Sequence, residues 1–127
     1  MARKSLLAVI AVFLLALPAR AQAVYGLDAY GAIDAGFLYA YESLTLGNGG
    51  DNATLAMDFA DYALFFANYA YAFDSPDWYY WASYYSLVAM EFAQADYAAT
   101  GSVDSLSAAE WFYDGALLAY DAFLYGG

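Results

Sequence analysis

Beyond Arg20 this chain has no Lys, no Arg and no His, yet all fourteen Asp and Glu lie beyond it, from Asp28 to Asp121. Within that stretch no side chain offers a carboxylate a cation, so water and neutral donors have to solvate most of them. There is also no Cys, so no disulfide can staple the fold. Stability has to come from packing and hydrogen bonds. Fifteen Tyr, nine Phe and three Trp supply the large apolar surface for packing.

The missing bases also exclude functions. Without Lys or Arg there is no electrostatic footprint for nucleic acid, and an anionic membrane surface would repel the chain. Without His, Cys or Lys the common nucleophile–base pairs cannot be built. The expectation is a protein that is not an enzyme and carries no cofactor.

The N-terminus has the layout of a secretory signal peptide. Arg3 and Lys4 precede an apolar run from Ser5 to Leu17, Pro18 ends it, and Ala21-Gln22-Ala23 follows. The run is 13 residues long, short for a membrane span of about 20. The reading is a signal peptide over 1–23, cleaved before Val24, and one acidic domain over 24–127. The protein is expected to be exported, periplasmic or extracellular, and bacterial.

Three breaker clusters divide the domain into four segments: Gly47 to Asn52, Asp74 to Asp77, and Thr100 to Ser105. In the second, Ser75 suits a helix cap, with Pro76 at the first position and Asp77 favouring the dipole. The third leads to Ser107-Ala108-Ala109-Glu110, which matches a capping box and predicts a helix from about Ser107.

Between the breaks, polar residues recur at helical spacing. Thr54, Asp58, Asp61 and Asn68 fall within an arc of roughly 50°, and Ser107, Glu110, Asp114 and Asp121 within roughly 60°. The rest of both segments is Ala, Leu, Tyr and Phe. Asp-x-Ala-Leu occurs at Asp61–Leu64 and again at Asp114–Leu117, 53 positions later. Either an internal duplication or the chance likeness of two Ala-rich helices explains it. The first segment, Tyr25 to Leu46, fits two periods. At period two, Tyr25, Leu27, Ala29, Ile33, Phe37, Tyr39 and Tyr41 share a face. At period 3.6 its acids spread over about 120°. Its Ala content and its helical company favour helix. The fold class is therefore all-α, an antiparallel bundle of three or four helices.

The stretch AQAVYGLDAYGAIDAGFLYAY also carries a resemblance. Ala21-Gln22-Ala23 followed by Tyr30-Gly31-Ala32-Ile33-Asp34-Ala35-Gly36 resembles the start of a Gram-negative general porin. In that family Ala-Gln-Ala ends the signal peptide, and the first barrel strand often reads Tyr-Gly-x-x-Asp-Ala-Gly. The resemblance implies bacterial export and a strand here. It covers about twenty residues of this sequence. Beyond Leu46 there are no repeated alternating strands, no basic constriction residues and no terminal Phe.

Two groups of residues carry the functional expectations. Trp78, Tyr79, Tyr80, Trp81, Tyr84 and Tyr85 ring the start of the third helix and predict an interface with a second copy or a partner protein. Asp58, Asp61, Glu110, Asp114 and Asp121 form acidic stripes that suit a hard divalent cation of the Ca²⁺ type. The leading expectation is an exported binding or structural module that associates through aromatic helix faces. The alternatives are a cation-binding acidic helical protein and a short porin-like outer-membrane barrel protein.

Overall fold

A computed structural model of the chain describes residues 25–126. The signal-peptide reading over 1–23 and the cleavage before Val24 lie outside the described residues. The fold consists of α1 (Tyr25–Thr45), α2 (Asp51–Ala72), α3 (Asp77–Thr100) and α4 (Val103–Tyr125). Short links force neighbouring helices to run antiparallel. Each helix packs on the two beside it around the ring, α4 closing onto α1, while the diagonal pairs α1/α3 and α2/α4 barely touch. This is an up-down-up-down four-helix bundle.

The three links, 46–50, 73–76 and 101–102, overlap the three breaker clusters. Gly101, in the left-handed region at φ 73°, ends α3, and Gly126, at φ 86°, ends α4. Glycine adopts this conformation without a Cβ clash. Asp74 takes the same role after α2 at φ 48°, an acceptable use of an Asp. Every helix has an acid in its first turn (Asp28, Asp51, Asp77 and Asp104) and no base in its last. With no basic side chain beyond Arg20, the positive ends of helices are natural partners for carboxylates.

Two expectations are corrected. Tyr25–Thr45 is helix, so the period-two pattern and the strand implied by the porin resemblance do not hold; among the described residues there is no strand. Helix α4 starts at Val103, not Ser107. Ser102 is its cap, and its Oγ accepts from the Ser105 N–H at 3.4 Å. Ser107 lies one turn inside the helix.

The interior is built from small residues. In α2 the buried positions are Ala53, Ala56, Ala60, Ala63, Ala67 and Ala70, spaced alternately three and four apart. That spacing is the heptad seam of a left-handed bundle. The same seam runs through Gly26, Ala29, Ile33, Gly36, Ala40 and Ser43 of α1, and through Tyr79, Ala82, Ser86, Ala89, Ala93 and Asp96 of α3. In α4 it is Ser105, Ala108, Phe112, Gly115, Ala119 and Ala122. The α1 seam maps onto the α3 seam at an offset of 53, and the α2 seam onto the α4 seam at 52. The repeated Asp-x-Ala-Leu, offset by 53, is out of step with its helices' seams. It pairs exposed Asp61 with buried Asp114.

Among the described residues, the large buried apolar side chains are Tyr25, Ile33, Tyr79 and Phe112, and three of them face a glycine. A Cβ on Gly36 would lie 2.5 Å from the Phe112 ring, and one on Gly115 would lie 2.6 Å from Ile33 Cγ1. A Cβ on Gly26 would overlap the Tyr79 hydroxyl. Elsewhere, small residues let the backbones approach closely. An Ala methyl buries little area, so much of the apolar stabilisation falls to half-buried rings flanking the seams, including Phe59, Phe66, Tyr85 and Phe92.

Candidate functional site

The helices place three chemically distinct regions: a hydroxyl-rich end, a ring-covered flank and an apical pocket.

The first closes the bundle where α1 and α3 end and α2 and α4 begin. Asp96, 1 % exposed, accepts the Gly50 N–H on Oδ1 at 2.9 Å and the Ser105 O–H on Oδ2 at 2.5 Å. Ser43 Oγ lies 2.7 Å from Ser105 Oγ and 2.6 Å from Ser102 Oγ. With the Ser105 proton given to the carboxyl group, the order of donors follows. Ser102 donates to Ser43, Ser43 to Ser105, and Ser105 to Asp96. Residues from α1, α3 and α4 and the Gly50 cap of α2 thus share one network. All of it is interior, and it holds the bundle together rather than facing a substrate. Sequence reading passed over Asp96, because its partners on the α3 seam, Ala93, Ala89, Ser86 and Ala82, are small residues that do not by themselves mark a face as inward.

The second region is the outside of α2 and α3. Fourteen rings form one connected array with centroids 4.5–6.2 Å apart. Along the α2/α3 seam, Phe59 stacks on Phe92 at 5.4 Å, and Phe66 stacks on both Trp78 and Tyr85 at 5.5 and 5.6 Å. From Tyr85 the array passes round α3 through Tyr84, Trp81 and Tyr80 to Phe123 and Tyr120 on α4. Tyr80, Trp81 and Tyr84 are 45–49 % exposed. Trp78 and Tyr85 are half-buried. Tyr79, expected beside them, points inward at 2 % exposure and presents nothing to a partner. Rings the sequence reading left out join the array on α2: Tyr62, Phe65, Tyr69 and Phe73. They were legible only as an apolar majority, because ring-to-ring contact between helices needs the α2/α3 pairing.

The acidic stripes occupy different sides. Asp58 and Asp61 are exposed on α2, beside a groove of about 630 Å³ that they line with Tyr62, Phe65 and Phe66. Glu110, Asp114 and Asp121 lie on α4, diagonally opposite, and Asp114 is buried. The five therefore do not form one centre, and among the described residues no three acidic side chains converge on a common point. Burial holds the Asp28 and Asp121 carboxyl groups above the ordinary carboxylate range. One oxygen of Asp28, Oδ2, is buried without a hydrogen-bond partner.

The third region is the opposite, apical end. A pocket of about 160 Å³ is lined by Ala70, Tyr71, Asp74, Ser75, Pro76, Tyr79 and Gly126. The Tyr79 hydroxyl is buried and has no hydrogen-bond partner among the described residues. Its pKa is raised, first by burial and then by Tyr71 and Asp74. Leaving a hydroxyl in this condition costs about 1–3 kcal/mol.

Among the described residues no helix is long and apolar enough to cross a membrane. No family model, no curated protein and no solved structure matches this chain, so its own geometry has to carry the functional reading.

Proposed function

We propose that this chain is a non-catalytic, exported helical module that associates with itself or with a partner protein through its aromatic flank. The observation that carries the reading is the connected ring array on α2, α3 and α4, with Tyr80, Trp81 and Tyr84 standing half out of the surface. Contiguous apolar surface of this kind favours contact with another protein. Tyr and Trp combine large area with a polar tip, which suits interfaces that open and close in water.

Charge sets when contact is possible. Fourteen acids and no bases beyond Arg20 make two copies repel at neutral pH. Acidification toward about pH 4, where free Asp and Glu take up protons, weakens that repulsion, and so do millimolar divalent cations. Light scattering from pH 7 to 4 should show assembly that the double variant Trp81→Ser/Tyr84→Ser suppresses. Both side chains are exposed, so the fold tolerates the change. A chain that stays monomeric throughout, or assembles equally well in the double variant, overturns self-association through this flank.

A further inference from the structure

The apical pocket has three properties that point to one kind of ligand. It is negative: the Asp74 carboxylate lines it, and so do the ends of α2 and α4, neither of which has a base in its last turn. Tyr79 lines it, and the buried Tyr79 hydroxyl has no hydrogen-bond partner among the described residues. The rest of its lining, from Ala70, Tyr71, Ser75, Pro76 and Gly126, is mostly apolar. An anion would meet both the carboxylate and the negative helix poles. A divalent metal ion would find a single carboxylate where several oxygen ligands are needed.

We propose that this pocket binds an alkylammonium group. The –NH₃⁺ head donates to the Asp74 carboxylate and to the Tyr79 oxygen, and the alkyl stem lies against Ala70, Tyr71 and Pro76. The head brings three donors and a positive charge, and beyond Arg20 no side chain of this protein can supply either a cation or that set of donors. Charge-assisted hydrogen bonds in a half-enclosed site are the strong ones. The aryl face of Tyr71 adds cation–π attraction. This site is separate from the aromatic flank, and its test does not depend on association there.

The test is titration of the full chain at about 150 mM salt, where long-range attraction between exposed charges is screened. n-Butylammonium is added while the backbone amide signals of Tyr71 and Gly126 are followed by NMR. Saturable shifts are expected, with 1-butanol giving none and tetramethylammonium, which has no N–H, binding more weakly. Asp74→Asn should lower affinity about tenfold, the loss of one charge-assisted contact. Asn tolerates the left-handed conformation at this position, so the turn persists. Tyr79→Phe should lower affinity several-fold while melting at or above the parent temperature, because the hydroxyl it removes has no partner in the fold. Asp61→Asn, on the outside of α2, should change nothing. A blocked lysine tripeptide added in place of the amine separates the two sources of the group. Tighter binding of the peptide assigns the site to a lysine of a protein partner, and weaker binding assigns it to a free amine. The proposal is overturned by non-saturable shifts, by butanol matching butylammonium, or by Asp61→Asn weakening binding as much as Asp74→Asn.

Discussion

At the hydroxyl-rich end, Asp96, Ser43, Ser102 and Ser105 are buried and share hydrogen bonds drawn from all four helices. At the apical end, about five turns away along the same seams, the Tyr79 hydroxyl is buried with no partner among the described residues, beside an open pocket. The difference teaches how an alanine-lined bundle sets its register. Six identical Ala residues on α2 present the same surface after a slide of one heptad, so they specify the register weakly. Large-into-glycine contacts, Phe112 on Gly36 and Ile33 on Gly115, fix the middle. A buried polar network fixes the hydroxyl-rich end, because sliding would strand each of its groups. With register settled there, the apical end is free to keep an unmatched group and a cavity.

The comparison breaks most visibly at Asp96. Asp96→Ala strands the Gly50 N–H and the Ser105 hydroxyl, and should cost about 3 kcal/mol or more by urea denaturation. A loss below about 1 kcal/mol would mean the network does not anchor the fold. Next come the glycine sockets. Gly36→Ala or Gly115→Ala should cost about 1–3 kcal/mol through overpacking. Gly31→Ala, where a Cβ meets nothing within 4 Å, should instead stabilise by about 0.5–1 kcal/mol.

The cap of α4 separates two readings of where that helix starts. Ser102→Ala should cost about 0.5–2 kcal/mol, measured by thermal melting, and Ser107→Ala, inside the helix, only a few tenths. At the apical end, Tyr79→Phe should cost nothing in the absence of ligand. That result, set beside a costly Ser105→Ala, would sharpen the contrast between the ends.

The smallest expected effect is one of pH. Burial raises the folded-state pKa of Asp28 and Asp121 above the unfolded value, near 3.9. Between those two values the folded chain binds more protons than the unfolded one. Stability therefore falls as pH rises through that window and returns on acidification. Asp28→Asn should stabilise the fold at pH 7 by under about 1 kcal/mol at a half-exposed site, read as a higher melting temperature, and leave it unchanged near pH 3. A lowered melting temperature at pH 7 would show that the Asp28 carboxylate is stabilised by something other than solvent.

The sequence by itself determined the helical content, the three breaks and the absence of basic side chains beyond Arg20. Helical period and breaker residues are local properties, and charge composition needs no fold. Local period did not decide α1, where spacing two and spacing 3.6 coexist in Tyr25–Tyr41; helix won because its small residues, Gly26, Ala29, Gly36 and Ala40, pack against neighbouring helices. Nor did it tell inside from outside. Ala, Tyr and Phe are all apolar, so the aromatic ring around Trp78–Tyr85 was legible as a surface while Tyr79 was not legible as core. Only the tertiary structure decided that the Ala stripes face inward and most rings outward. The reason is geometric: four helices sharing a seam of small residues leave room at the centre for large side chains mainly where a glycine stands opposite, as at Ile33, Tyr79 and Phe112. Asp96 follows the same rule. Its position in the α3 seam makes it buried, and the hydroxyls that α1 and α4 bring within 2.5–3.5 Å make burial tolerable.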